Sequence, residues 1–348
     1  MKTNFWWLFP FDMHTISHFF KKFIAYCNPM SLYTATHRLL NLGFWFFYHK
    51  VHRNTQNHVP INGPVLLVAN HPNSFMDALV IAASLPRPTH FLARGDAFKN
   101  PILRKIFTSY QMLPVYRISE GKENIEKNFE TFDASYDALA KGGMVLIFGE
   151  GLCKNNWDLR PLKKGPGRIA YRAWQSDGAI SNLSIVPVGL TYEHFDGGGK
   201  SVIVRFGTPI TRNQFDRSLS GSLLIQQLNQ ELAKQLETLA YINPKLQPHS
   251  NEHRHLMQVW RETEKQQGDV LTALKKTAPS NQKVARNKRW FTPIHWGIVA
   301  LPHYWMMMML AKKFTKGSVF YDSVLFGLVL FLFPFYWLSL LLLILYFI

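Results

Sequence analysis

A histidine and an aspartate six positions apart, His71 and Asp77, lie in the string Asn70-His71-Pro72-Asn73-Ser74-Phe75-Met76-Asp77. A neutral imidazole whose second nitrogen is held by a carboxylate can take a proton from an alcohol. Along one regular helix, six positions turn two side chains ~240° apart. The pair therefore meets only if the histidine lies off the helix. The flanking runs allow this, since residues 64–69 read as a short buried strand and 76–85 as a helix. His71 then sits on the loop leaving the strand, and Asp77 in the first helical turn. Open α/β sheets gather their reacting groups at that edge. The same spacing also suits a capping box with Ser74 as N-cap and Asp77 at the third helical position. His71 is then a loop histidine without chemistry. No second His or Cys stands at a ligand-like spacing, so no metal site is expected.

The elements that must position this string recur along the chain. Strand-like runs fall at 64–69, 90–94, 112–116, 143–148, 183–190 and 201–206. Helical runs fall at 76–85, 101–109, 122–140, 166–176 and about 222–239. That alternation predicts an α/β layer structure. The 348 residues have room for one such domain plus additions. The 39 Lys and Arg against 22 Asp and Glu give a charge of +17, which calls for anionic partners. Nucleic acid is set aside, because the chain carries no zinc spacing, repeated basic heptad or RNA-binding aromatic motif. Cys27 and Cys153 are too far apart to suggest a disulfide framework, and a reducing compartment is the simplest expectation.

Both ends are apolar. No cleavable leader is read at the N-terminus, where His and Lys interrupt the aromatic stretch before a clean apolar core forms. Residues 39–48, between basic and His flanks, are too few to span a bilayer. They suit an interfacial helix, a helix packed on the neighbouring domain, or both at once. At the other end, 323–348 carries no charge and is interrupted only by Pro334. As a helix it would reach ~39 Å against a hydrocarbon core of ~30 Å, so a tilted or kinked span, or a hairpin broken at Pro334, is expected. Residues 292–311 are a weaker segment, and Lys312, Lys313 and Lys316 follow it. The positive-inside tendency places that basic loop on the cytoplasmic side, with 292–311 lying in the interface or re-entering. The layout expected is thus N-terminal interfacial helices over 1–58, an α/β domain over 59–245, a charged helical linker over 246–290 and a membrane-associated region over 291–348.

The first block of the glycerolipid acyltransferase superfamily is what 70–77 resembles, in the variant of the glycerol-3-phosphate/dihydroxyacetone-phosphate acyltransferase branch, where five residues rather than four separate His and Asp. Met112-Leu113-Pro114-Val115-Tyr116-Arg117 is similar to the second block. Phe148-Gly149-Glu150-Gly151 is similar to the third, with Gly149 where Pro is usual, and Ile185-Val186-Pro187-Val188-Gly189 to the fourth. Asp158-Leu159-Arg160-Pro161-Leu162-Lys163-Lys164-Gly165 also resembles that branch, and Val319 to Ser323 its C-terminal segment. The four blocks come in order over roughly 60–210.

The resemblance implies an α/β fold, with a layered mixed sheet flanked by helices. It implies transfer of a fatty acyl group from a thioester to a hydroxyl of glycerol-3-phosphate, or of lysophosphatidate or another lysophospholipid. His71 would be the general base and Asp77 its partner. Arg117 would hold the acceptor phosphate, and Glu150 an acceptor hydroxyl beside Gly151. The common third block has an Arg where this chain has Cys153. Lys154, Lys163 and Lys164 are candidates to replace it, while Asn73 and Arg94 join them as substrate contacts. Cys153 is not expected to act as a nucleophile, since a hydroxyl acceptor needs no thiol intermediate. The partners implied are an anionic phospholipid membrane at its cytoplasmic face and acyl-coenzyme A or acyl carrier protein as co-substrate, with no metal or organic cofactor. A non-catalytic lipid-binding protein on the same fold is the reading from another class. The intact set of His71, Asp77, Arg117 and Glu150 argues against it.

Overall fold

The computed structural model describes residues 29–85, 87–115, 123–216, 218–278 and 297–347, with some side chains inside these segments, including that of Arg94, outside the description. Seven strands build one sheet: β1 (Tyr48–Asn54), β2 (Val65–Ala69), β3 (Thr89–Arg94), β4 (Met112–Val115), β5 (Met144–Phe148), β6 (Ser184–Tyr192) and β7 (Lys200–Phe206). Their order is β1-β7-β6-β2-β5-β3-β4. β2 pairs in parallel with both β5 and β6, and β3 with both β5 and β4. β7 runs antiparallel to β6 and carries β1 in parallel on the edge. The sheet is therefore mixed, as expected.

The helices are α1 (Pro29–Phe47), α2 (Ser74–Ala82), α3 (Pro101–Ser109), α4 (Glu123–Ala140), α5 (Gly165–Trp174), α6 (Gly221–Leu239), α7 (Asn251–Lys265), α8 (Val270–Lys276), α9 (Gly297–Thr315) and α10 (Tyr321–Phe347). The alternating faces of β2 show how they layer. Val65, Leu67 and Ala69 face a core shared with α1, α2, α7, α8, α9 and α10. Leu66 and Val68 face a second core closed by α4, α5 and α6. Covered on both sides, β2 buries all five residues, which is why its sequence is an unbroken apolar run.

Turn chemistry fixes the strand entry next to the site. α4 ends in a Schellman motif in which the Gly143 N–H bonds Ala138 O at 2.9 Å and the Gly142 N–H bonds Leu139 O at 2.8 Å. Gly142 takes a φ of +74°, and a Cβ on Gly143 would lie 2.6 Å from Ala138 O. The turn delivers β5 directly beside β2. Pro187 lies inside β6, a central strand. Its missing N–H falls between the β6–β7 ladder, which begins at the Val188–Phe206 pair, and the isolated Ile185–Ile210 bridge, while its carbonyl still accepts from the Gly207 N–H at 2.8 Å.

Two expectations about the ends need correction. The span or broken hairpin over 323–348 is not found: α10 runs continuously from 321 to 347, and among the described residues no helix is long and apolar enough to cross a membrane. The first part of α10 packs on the domain instead, where Leu325, Phe326 and Val329 enter the first core. Likewise, α9 is not wholly interfacial, because Met307 and Ala311 are buried. Residues 292–296 lie outside the described residues. The charged stretch after 246 packs too: α7 and α8 bury Leu256, Trp260, Leu271 and Leu274 in the first core, with Glu262, Lys265, Lys275 and Lys276 exposed and Glu264 buried. The part of that stretch over 279–290 lies outside the described residues, as do 1–28.

Candidate active site

The paired strands β2 and β5 end together, Ala69 beside Phe148, and the loops that leave them meet at the carboxyl edge of the sheet. One loop carries His71 and leads into α2; the other carries Glu150 and runs to α5. His71 lies flat on Phe148, with ring centroids 3.8 Å apart and planes within 12°. Its Nδ1 is 2.9 Å from Asp77 Oδ2. The histidine lies off the helix and the aspartate on it, as the spacing requires.

Asp77 is fully buried, and the same Oδ2 accepts the Asn73 backbone N–H at 2.8 Å. Burial pushes the Asp77 carboxyl above its ordinary value, against the pull of His71 and of the Asn73 N–H. As acceptor for Nδ1, Asp77 selects the tautomer with the proton on that nitrogen, leaving the Nε2 lone pair free. Among the described residues nothing hydrogen-bonds Nε2, and the His71 side chain is 18% exposed. This is the arrangement in which an imidazole removes a proton from an incoming hydroxyl.

The capping alternative proves to be part of the same structure, with different roles. Helix α2 starts at Ser74, with Asn73 as N-cap and no side-chain cap bond. Asp77 reaches back to the N-cap N–H, so one carboxylate oxygen serves both the helix start and the histidine. Ser74 has a φ of +51°, left-handed for a non-glycine residue, and its N–H is held by Cys153 Sγ at 2.9 Å. Burial, with Asp77 and Glu150 nearby, pushes the Cys153 thiol up to about 12. A thiol so rarely ionised is a poor nucleophile; His71, Asp77 and Cys153 offer donor atoms within 4.8 Å of one another.

Glu150 is 3% exposed. Oε1 accepts the His71 N–H at 2.8 Å, and Oε2 accepts both Arg160 N–H at 3.1 Å and Arg160 Nε at 2.8 Å. The carboxylate expected to meet an acceptor hydroxyl thus ties the His71 loop to Arg160. Asn73, expected at the substrate, is fully buried and turned inward, its Nδ2 donating to Asp322 Oδ2 at 2.8 Å. Gly151 has a φ of +69° on the rim. Lys154 and Lys163 join the rim through their backbones, to His71 O at 3.3 Å and Gly149 O at 2.8 Å, while their ammonium groups and that of Lys164 are exposed. Arg94 ends β3, two strands from β2. Arg117 lies outside the described residues. Arg160 was not singled out from the sequence, although it stands in the block that precedes α5; its spacing from Glu150 gives no local signal of their pairing.

Residues 50–191 match the acyltransferase family. A glycerol-3-phosphate O-acyltransferase 2 of Saccharomyces cerevisiae is 34% identical over 83 residues, 24% of this chain and 11% of that protein. A 1-acyl-sn-glycerol-3-phosphate acyltransferase of Chlamydomonas reinhardtii is 26% identical over 170 residues, 48% of this chain and 49% of the relative. The chain thus spans about half or less of the length of these curated relatives. Among solved structures, the 1-acyl-sn-glycerophosphate (LPA) acyltransferase PlsC from Thermotoga maritima superposes with a TM-score of 0.49 at 15% identity, over 64% of this chain and 88% of that one. The blocks over 70–189, which resemble those of the glycerolipid acyltransferase superfamily, lie inside the stretch over 50–191 that matches the acyltransferase family.

Proposed function

We propose that the chain transfers a fatty acyl group from an acyl thioester to a hydroxyl of glycerol-3-phosphate, with His71 as base. The observation that carries this reading is the 2.9 Å contact between His71 Nδ1 and buried Asp77, with Nε2 left free at the carboxyl edge of the sheet. Nε2 takes the proton as the acceptor oxygen attacks the thioester carbonyl. The tetrahedral intermediate then collapses, the C–S bond breaks, and the imidazolium returns its proton to the departing thiolate. Asp77 stabilises the imidazolium meanwhile.

The acceptor phosphate is held by the basic rim. Arg160, held by Glu150 with its side chain 23% exposed, presents a planar guanidinium suited to a phosphate, in the region where the family's usual Arg is replaced by Cys153. Lys154, Lys163 and Lys164 add mobile positive charge, and Arg117 and Arg94 remain candidates for phosphates of the acceptor or of the acyl donor. Lysophosphatidate as acceptor is a second reading, favoured by the longer alignment with the Chlamydomonas protein.

The acyl chains come from an anionic phospholipid surface on the cytoplasmic side, to which the protein binds. Support comes from the stripe Phe331, Phe335, Leu338, Leu342 and Leu345 on α10, each at least half exposed and three or four residues apart. Trp305 and Met309 on α9 and Leu42 and Trp45 on α1 are similarly open.

The deciding experiment offers purified protein labelled glycerol-3-phosphate, dihydroxyacetone phosphate or lysophosphatidate, each with acyl-coenzyme A or acyl carrier protein, beside His71→Ala. One acceptor is expected to be acylated, with the variant down by at least ~10³-fold. Undiminished turnover in the folded variant would remove His71 as base. No product from any pairing would favour a lipid-binding role.

A further inference from the structure

We propose that Asp322, at the start of the C-terminal helix, is a positioning residue for the His71 loop, acting through Asn73. This rests on the reading of His71 as base. Asp322 and Lys200 are both buried and form an ion pair. Asp322 Oδ1 accepts the Gly197 N–H at 2.7 Å. Its Oδ2, besides taking Lys200, accepts Asn73 Nδ2 at 2.8 Å across 249 positions of sequence. Asn73 then passes its backbone N–H to Asp77 Oδ2 at 2.8 Å, the oxygen that holds His71 at 2.9 Å. Each link from α10 to the imidazole is a short bond between groups that are buried or nearly so.

Packing alone does not call for this junction. A buried ion pair is replaced by apolar residues of similar volume with little or no loss of stability. What an apolar side chain cannot do is accept from Asn73. The need is local: Ser74, the next residue, holds a left-handed φ of +51°. Strain of that kind persists only where surrounding contacts over-determine it. The Asn73 side chain fixes the loop from one side, and Cys153 Sγ takes the Ser74 N–H from the other. Seating of α10 on the domain therefore sets the His71–Asp77 geometry.

The test separates position from packing. Asp322→Leu/Lys200→Met removes both charges and the acceptor. It is expected to keep its Tm within a few degrees while kcat falls roughly 10- to 100-fold, with KM for both substrates nearly unchanged. Asp322→Asn/Lys200→Met also removes the charges but offers Asn73 an amide oxygen, and kcat is expected to recover toward wild type. Asn73→Ala breaks the same bond from the other side without touching the ion pair, and should reproduce the loss. Backbone hydrogen exchange over 70–77 is measured on all three, with faster exchange expected in the first and third. Wild-type kcat and exchange in the Leu/Met variant or in Asn73→Ala would overturn the proposal, as would a stably folded Asn/Met variant that fails to recover. Exchange needs no turnover. If wild type acylates no acceptor, the functional reading fails, while the exchange pattern still decides the junction.

Discussion

Asp77 answers two opposed demands, and its substitution separates them. The proposed role of His71 as base needs it ionised, to orient the ring and to stabilise the imidazolium; burial penalises that ionised form and raises its pKa above the ordinary carboxylate value. A carboxyl whose folded pKa is raised binds its proton more tightly in the native state than in the unfolded one. Its stabilising contribution is present at low pH and is lost as pH rises through the folded pKa. At neutral pH Asp77 therefore weakens the fold. Asp77→Asn should lower kcat by ~10³- to 10⁴-fold while raising Tm at pH 7, and the gain should vanish below about pH 4, where the carboxyl is protonated in both states. Thermal melts at the two pH values check this, and a Tm that falls at pH 7 would contradict it. The pair itself was legible from spacing, because six positions meet only across a loop–helix junction. The surroundings were not. Glu150 looked like a substrate ligand because its block names the residue but not its partner, and Arg160 returns to it from ten positions on. Asp322 reaches Asn73 from 249 positions away, and no spacing rule covers that distance.

Elements were legible where one physical requirement dominated the segment. β2 and β5 are apolar because both of their faces are covered, and α6 buries Leu224, Leu228, Leu232 and Leu236 at steps of four. β1 escaped detection. Its sequence, Tyr-His-Lys-Val-His-Arg-Asn, is polar because an edge strand shows one side to water, and it becomes a strand only by pairing with β7, about 150 residues on. The fourth block also yields to packing at this scale. Gly189 lies in β6 where α6 ends, and a Cβ there would sit 2.5 Å from the Leu239 backbone. Gly189→Ala must displace the helix end, at a cost of ~1–3 kcal/mol. The expected result is a lower unfolding midpoint in denaturant with little change in KM for either substrate, because the His71 loop lies on β2. A variant as stable as wild type would show that the contact relaxes freely.

Over the whole molecule, a net charge of +17 and exposed apolar stripes on three helices would make separate contributions to the proposed binding of a lipid surface. Screening distinguishes them. The attraction of Lys312, Lys313, Lys316 and the basic rim to anionic headgroups collapses at ~1 M salt, where the Debye length is ~3 Å; insertion of apolar side chains does not. The C-terminal helix divides its labour along its length: Leu325, Phe326 and Val329 hold the domain, Asp322 joins the His71 loop, and the residues from Phe331 onward face outward. The outer stripe can thus be altered without disturbing the fold. Phe331→Ser/Phe335→Ser/Leu338→Ser should bind anionic vesicles in low salt and be released by a high-salt wash, while wild type stays bound, with the two proteins melting together. If the triple variant resists the wash as well as wild type does, the apolar anchor lies elsewhere, on α1, α9 or the segment before residue 29. If wild type itself washes off, charge alone accounts for the attachment.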